Sequence, residues 1–525
     1  MAKRVGLTRP LAYLTVRDQL VYKALVALAE NDLIRSSPKW GRLGRAQETD
    51  DDSITLSSSG WFRAWLKRDG QIWVMNSSCE WLVESDISNF FPSVSISDVV
   101  AFVSDNSRLG IDLVRLLEYM LQTFSPLAGY HPLKVGGLPQ EGFDVSRVLA
   151  HVYLKPLDEE FRAEGEADRY TRWVDDIVAG ADTWDEALKM VRRLQATLES
   201  LGLYPNSAKT RVIRRAAFRL DYMKAENDDL GVIEEQIKAG TADRLAFRAA
   251  LVAHLHRRDH PKGWPRVLRR FYTLSRGLRD EYLVERWQTH IEETPDSARN
   301  VFDYLSTFRI TQRRFRRLLE VLDRFGTVYE DIEILAHEYV CAAPAPGSGS
   351  LPVEIAEWAL RIVEREAVAR PRIAAAACTT VGKFGDETQL RRLLAAYRGW
   401  SRDSVVRTQA LVVLLGAGLL GSAELQNLLA RSRLESLENI EFLIALCAGE
   451  KQATGMAFSA LQPIKRHQPD RYVVRPRMLF LAPLVATAAP REWRTQSAKW
   501  HRQLTSNTRE LRDHASERWL FSVAR

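Results

Sequence analysis

Cysteine is scarce in this chain of 525 residues: Cys79, Cys341, Cys378 and Cys447 stand far apart. So few thiols exclude a disulfide scaffold, and none has the close pair spacing of a zinc site. Buried thiols in a reducing compartment are what remains. Long apolar runs are missing too. None reaches the roughly 18 residues of a membrane span. The opening Met-Ala-Lys-Arg-Val-Gly-Leu-Thr-Arg-Pro lacks the apolar core of a signal peptide. The expectation is a soluble, cytoplasmic protein with no membrane partner. Charge of one sign is only mildly in excess, with 74 Lys and Arg against 67 Asp and Glu, a formal net charge of +7. That balance favours a polyanionic partner without specifying one. With 46% hydrophobic and 27% charged residues, a disordered chain is excluded.

Along the chain the pattern changes once. Residues 1 to about 215 mix helical and strand periodicities, and the rest reads almost entirely as helix. The stretch Ala342-Ala343-Pro344-Ala345-Pro346-Gly347-Ser348-Gly349-Ser350 has the composition of a linker or loop. Beyond it a pattern recurs. Arg372-Ile373-Ala374-Ala375-Ala376-Ala377 runs to Gly382 and on to Leu390, Leu393 and Leu394. Arg407-Thr408-Gln409-Ala410-Leu411 runs to Gly416 and on to Leu425, Leu428 and Leu429. The offset of roughly 34–35 residues is that of helical-pair repeats, here HEAT-like. An ordinary bundle with Ala-rich packing is the alternative.

Carboxylates appear where strands end. Glu80-Trp81-Leu82-Val83-Glu84-Ser85-Asp86-Ile87-Ser88-Asn89-Phe90-Phe91-Pro92 reads as a strand delivering Asp86, followed by paired aromatics. A strand end holds a carboxylate rigidly, as a metal ligand requires; a helix cap is the plainer use of such an Asp. Arg169-Tyr170-Thr171-Arg172-Trp173-Val174-Asp175-Asp176-Ile177-Val178-Ala179-Gly180 reads as strand, Asp-Asp turn, strand. Adjacent acids are ordinary turn residues. Set between apolar strands, they call for a counter-charge, and a divalent cation is the natural one. Between the two lies Gly136-Gly137-Leu138-Pro139-Gln140-Glu141-Gly142-Phe143-Asp144-Val145-Ser146, a Gly/Pro turn opening a helix. After the hairpin comes Leu201-Gly202-Leu203-Tyr204-Pro205-Asn206-Ser207-Ala208-Lys209-Thr210.

In this order the four segments resemble the palm motifs of reverse transcriptases, over roughly residues 80–212. A palm followed by HEAT-like helices is most similar to the abortive-infection and defence-associated reverse transcriptases of bacteria. The resemblance implies an α+β fold: a right-hand polymerase, fingers and palm, over 1–215, then an all-α HEAT-like repeat domain over 351–525. Residues 216–341 would form a helical thumb-like connection and 342–350 the linker or loop. The implied activity is RNA-directed or untemplated DNA polymerisation by two-metal nucleotidyl transfer, in antiphage defence. A mobile-element or retron-like enzyme and a degenerate polymerase acting as a nucleic-acid scaffold are the alternatives.

The resemblance also assigns residues. Asp86, Asp175 and Asp176, with the backbone of Ile87, would hold two Mg²⁺ ions, with Mn²⁺ as a substitute. Phe91 would lie beneath the sugar and select deoxynucleoside triphosphates. Gln140 and Ser146 would line the template and nucleotide side, and Lys209 would assist pyrophosphate departure. Arg63, Lys67 and Arg68, together with Arg17 and Lys23, are candidate triphosphate contacts in the fingers. Two departures stand out: Trp173 occupies a place usually held by Tyr or a small residue, and Glu141 separates Gln140 from Gly142. The second leaves the register of Ser146 open by one residue.

Residues 254–280 hold eight Lys or Arg and two acids, interleaved with Trp264, Phe271 and Tyr272. Basic groups contact phosphates and rings stack on bases. Arg257, Arg258, Lys262, Arg266, Arg269 and Arg270 are therefore read as a nucleic-acid track, which Arg313, Arg314, Arg316 and Arg317 would extend. A solvated helix face is the plainer alternative. The expected partners are deoxynucleotides, a nucleic acid such as a dedicated small non-coding RNA, and further copies of the chain.

Overall fold

The computed structural model describes residues 16–35, 41–42, 60–124, 137–140, 145–163, 167–257, 259–326, 328–344, 349–400 and 405–417, with a few single residues besides. The chain is mostly helical with one small sheet, an α+β arrangement. It divides into two compact units. One comprises Pro10–Ala225 with Pro261–Gly263; the other comprises Glu226–His260 and the chain from Trp264 onward.

The first unit contains, in order, α1 (Val16–Arg35), β1 (Gly41–Arg42), α2 (Gly60–Ser78), β2 (Trp81–Asp86), α3 (Phe90–Ser93), α4 (Ile96–Asn106), α5 (Ile111–Phe124), α6 (Val145–Tyr153), α7 (Lys155–Ala163), β3 (Tyr170–Trp173), β4 (Asp176–Ala181), α8 (Trp184–Ser200), β5 (Arg211–Arg214) and α9 (Arg215–Asp221). The sheet order is β1-β3-β4-β2-β5; the two-residue β1 runs parallel to β3, and the other pairings are antiparallel.

Alternation along the strands sends side chains to two faces. Val83, Ile177, Ala179 and Ala181 join the main core with Met190, Leu194 and Leu198 of α8. Leu82 and Val178 face the other way, against Ile72 and Met75 of α2 and Phe218 of α9. Glu84 and Asp86 share the Leu82 face by the same period. The helix behind the sheet starts cleanly because Thr183 and Glu186 form a capping box at the head of α8.

The second unit holds α10 (Lys224–Ala239), which begins at the boundary, then α11 (Arg244–Leu255), α12 (Trp264–Leu278), α13 (Trp287–Glu293), α14 (Ala298–Leu305), α15 (Gln312–Phe325), α16 (Glu330–Ala342), α17 (Leu351–Glu366), α18 (Pro371–Phe384), α19 (Glu387–Gly399) and α20 (Val405–Gly416). Every second helix packs on the next: α12 on α14, α14 on α16, α16 on α18, α18 on α20. Ala374, Ala376 and Ala377 are buried on α18, where small side chains let helices approach closely. The layering begins well before residue 351. The Pro/Gly/Ser stretch is a connection between α16 and α17 within one unit. Lys383 of α18 closes the end of α16, its buried ammonium donating to the carbonyls of Cys341 at 2.7 Å and Ala343 at 3.1 Å. Of the sequence repeat, α18 and α20 carry the two opening segments; Leu425, Leu428 and Leu429 lie outside the described residues. None of the helices described is long and apolar enough to cross a membrane.

Candidate active site

Strand pairing brings two of the carboxylates together. Asp86 at the end of β2 lies directly opposite Asp176 at the start of β4, so both project from the same face. Trp173 pairs with Asp176, which leaves Val174 and Asp175 as a two-residue hairpin turn. Val174 has φ 57°, the backbone that such tight turns demand. A β-branched residue there is strained, at a cost on the order of 1–3 kcal/mol, and persists only where its surroundings enforce it.

Those surroundings are Arg172. Its side chain has no exposed surface, and its guanidinium donates to the carbonyl of Val174 at 3.2 Å. Asp158 of α7 holds it with two bonds of 2.7 and 2.6 Å, and the His151 carbonyl accepts a third at 3.0 Å. The hydroxyl of Tyr170 also donates to Asp158 at 3.0 Å. Burial first, and the charge of Arg172 second, keep His151 well below the usual histidine range. The turn thus rests on a closed ionic brace. The sequence holds no direct sign of Asp158; the available signal was an Arg set in the apolar strand three residues before Asp175.

A second support grips Asp86. The irregular loop after α8 runs beside the end of β2: Ser88 donates its amide to Tyr204 O at 2.9 Å, and Asn206 donates to Asp86 O at 2.7 Å. Ile87, fully buried, bridges Pro205. Ser85 and Thr210 share a hydroxyl bond of 2.8 Å. Lys209 donates to Asp86 Oδ2 at 2.7 Å. Arg68 of α2 donates to the carbonyl and Oδ2 of Asp176, at 3.0 and 3.1 Å. Asp175 is half-buried at the second turn position.

Phe90 is buried in the core, and Phe91 packs partly exposed beside it, their rings 5.5 Å apart. Leu138 donates its amide to Phe91 O at 2.8 Å. A Cβ on Gly137 would stand 2.2 Å from Pro92 O, so only glycine lets this turn dock. Gln140 is half-buried in the same turn, while Glu141 and Gly142 lie outside the described residues. Ser146 departs from expectation. It is 1% exposed, and its hydroxyl is bonded to Tyr22 of α1 at 3.0 Å. A hydroxyl absorbed by the core is not presented to a nucleotide.

The basic residues divide likewise. The side chains of Arg17, Arg63 and Lys67, and all of Arg258, lie outside the described residues. Acidic groups on neighbouring elements occupy most of the expected nucleic-acid track. Arg257 pairs with Glu226 and Asp259, Arg269 with Asp296, and Arg270 with Glu234. Lys262 pairs with Glu84 at 2.6 Å. Arg266 is half-buried on α12. Two of these acids, Glu226 and Glu234, stand on α10, whose sequence holds five carboxylates. Farther along, Arg313 and Arg317 both pair with Glu285, so the expected extension is partly taken as well.

Among the described residues, no group of three or more His, Cys, Asp or Glu side chains is arranged to hold a metal ion. The donor chemistry on β2 and β4 nevertheless suits a hard cation, since carboxylate oxygens are its preferred ligands. A cation there would take the place of Lys209 on Asp86 and Arg68 on Asp176. Compared with models of known protein families and with curated protein sequences, the chain matches none.

Proposed function

We propose that the chain is a nucleic-acid polymerase of the reverse-transcriptase kind, adding deoxynucleotides to a primer end. One observation carries the reading: Asp86 and Asp176 face each other on adjacent strands, with Asp175 at the strained turn between β3 and β4. Strain stored beside paired acids is typical of a site built for chemistry. Asp86, Asp175 and Asp176 would hold two Mg²⁺ ions, or Mn²⁺. When bound, these supply charge neutralisation on the attacking and leaving oxygens of phosphoryl transfer. The chain's own residues do the rest. Arg172 and Asp158 hold the turn, Asn206 holds Asp86, and Phe91 presents a ring where a sugar would lie. Lys209 and Arg68, released from their carboxylates, are placed to receive phosphate oxygens.

The layered helices favour a HEAT-like array and, with it, a multimer or a product channel, since such arrays present extended surfaces. Antiphage defence rests on the sequence resemblance alone. The second reading is a binding scaffold without chemistry; the pairing of Asp86 and Asp176 with basic side chains favours it. Primer extension and untemplated addition decide between the two. Asp175→Asn with Asp176→Asn should reduce incorporation below detection while circular dichroism stays unchanged. Full activity in that variant sinks the carboxylate assignment, and an inactive parent that binds nucleic acid supports the scaffold.

A further inference from the structure

The polymerase reading assigns no role to Glu84. It lies two residues before Asp86 on β2, so the two carboxylates share a face. It is 3% exposed. A buried carboxylate persists only when charge and hydrogen bonds offset its lost hydration. Three groups do so here. Arg211, opposite it on β5, donates at 2.6 Å. Lys262 donates at 2.6 Å, and the hydroxyl of Tyr222 donates to the same oxygen.

Lys262 is held for this task by its backbone. Its amide donates to Asp221 Oδ1 at 3.0 Å, and the Gly263 amide donates to Asp221 O at 2.8 Å. A Cβ on Gly263 would stand 2.6 Å from Tyr222 O, so the segment lies flat against residues 221–222. Pro261–Gly263 belongs to the same compact unit as β2. Arg211 also pairs with Asp221. The cluster holds two carboxylates, Glu84 and Asp221, and two cations, Arg211 and Lys262. It is neutral as it stands, and loss of Lys262 strands a buried negative charge.

The next cation is close by. Glu84 pairs with Val178 and Asp86 with Asp176, so Glu84 and Asp176 are diagonal neighbours on one face of the sheet, and Arg68 is bonded to Asp176 there. A stranded Glu84 would therefore compete for Arg68, the partner of Asp176. We infer that Lys262 is a positioning residue: by neutralising Glu84 it leaves Arg68 to Asp176 and keeps Asp86 and Asp176 face to face. This rests on the polymerase reading, and it reassigns a lysine that the sequence placed on the nucleic-acid track.

The test uses the full-length chain with Lys262→Met, Lys262→Arg, Glu84→Gln and the double variant Glu84→Gln/Lys262→Met. Lys262→Met should lower kcat for nucleotide addition at least tenfold. The nucleotide KM and the nucleic-acid affinity should stay within twofold of the parent. Lys262→Arg should recover activity. The double variant, lacking both charges, should recover at least half of the loss; these last two also carry the test if Lys262→Met fails to fold. Weaker nucleic-acid binding with kcat unchanged and no rescue by Glu84→Gln would make Lys262 a phosphate contact and overturn the inference. So would parental kcat in Lys262→Met. An inactive parent would sink the polymerase reading instead. The coupling is then read from Mn²⁺ affinity by electron paramagnetic resonance: Lys262→Met should weaken it at least fivefold and the double variant restore it. Equal affinity in all three overturns the inference.

Discussion

Both compact units are laced with ion pairs, and they use them differently. In the sheet unit, beside surface pairs such as Arg108–Asp32 and Arg169–Asp182, the pairs with a buried member gather near the ends of β2 and β4. Neither Arg172 nor Asp158 has exposed side-chain surface, and Glu84 is nearly as enclosed. In the helical unit most pairs lie at the surface and recur at similar chain separations. Arg317–Glu285 and Arg324–Glu292 both span 32 residues, and Arg392–Glu357 spans 35. Arg370–Glu333 is a more buried member of that set. A buried pair enforces one geometry, because losing a partner leaves a charge stranded. A surface pair is worth about 0–1 kcal/mol and serves mainly to set register. One unit spends its charges on placing a few atoms; the other spaces its layers with them.

The sharpest way to break this contrast is Asp158→Asn. Stranding Arg172 should cost about 3–5 kcal/mol in chemical denaturation; a loss below 1 kcal/mol would show that the brace is not what enforces the turn. Phe90→Ala should cost a similar amount, about 3–5 kcal/mol. Phe91→Ala should instead raise ribonucleotide incorporation relative to deoxynucleotide with little change in stability, since it removes a steric block. If the two rings exchange these effects, the gate is Phe90.

Acid should separate the units. Burial lowers the pKa of His337 to about 3 and of His254 and His290 to about 4. Their unfolded forms bind protons from about pH 6.5 downward. The unfolded state therefore gains protons first, and stability present above pH 6.5 is lost as pH falls toward 4. The slope approaches about 1.4 kcal/mol per pH unit for each group. Melting followed at pH 7 and pH 5 should show the larger drop in probes on the helical unit, and the triple His→Gln variant should flatten it. The smallest effect belongs to Arg392→Ala on the surface of α19: despite contacts to Glu357 and Glu364, about 0–1 kcal/mol.

What the sequence disclosed was local. β2 and the β3–β4 hairpin were legible because apolar residues flank acids over short spans, and the helical half because its periodicity is regular. What it withheld depends on residues far apart in the chain. Ser146 reads as a nucleotide contact until Tyr22, 124 residues earlier, takes its hydroxyl. Lys262 reads as a phosphate contact, and only the fold shows that its ammonium donates to Glu84, 178 residues earlier. Residues 254–280 read as a bare basic strip because the acids of α10 precede it in a separate stretch of sequence. The layering before residue 351 left no repeat to find, since α12, α14 and α16 share packing rather than sequence.

The alternate-helix ladder from α12 to α20 has an evolutionary consequence. Each rung meets mainly its neighbours, so stability is a sum of local couplings. Insertion or loss of one helix pair then perturbs a single junction. Such an array can change length by duplication without redesign of the sheet. Descendants of one ancestor could carry different numbers of rungs while Asp86, Asp175 and Asp176 stay where they are.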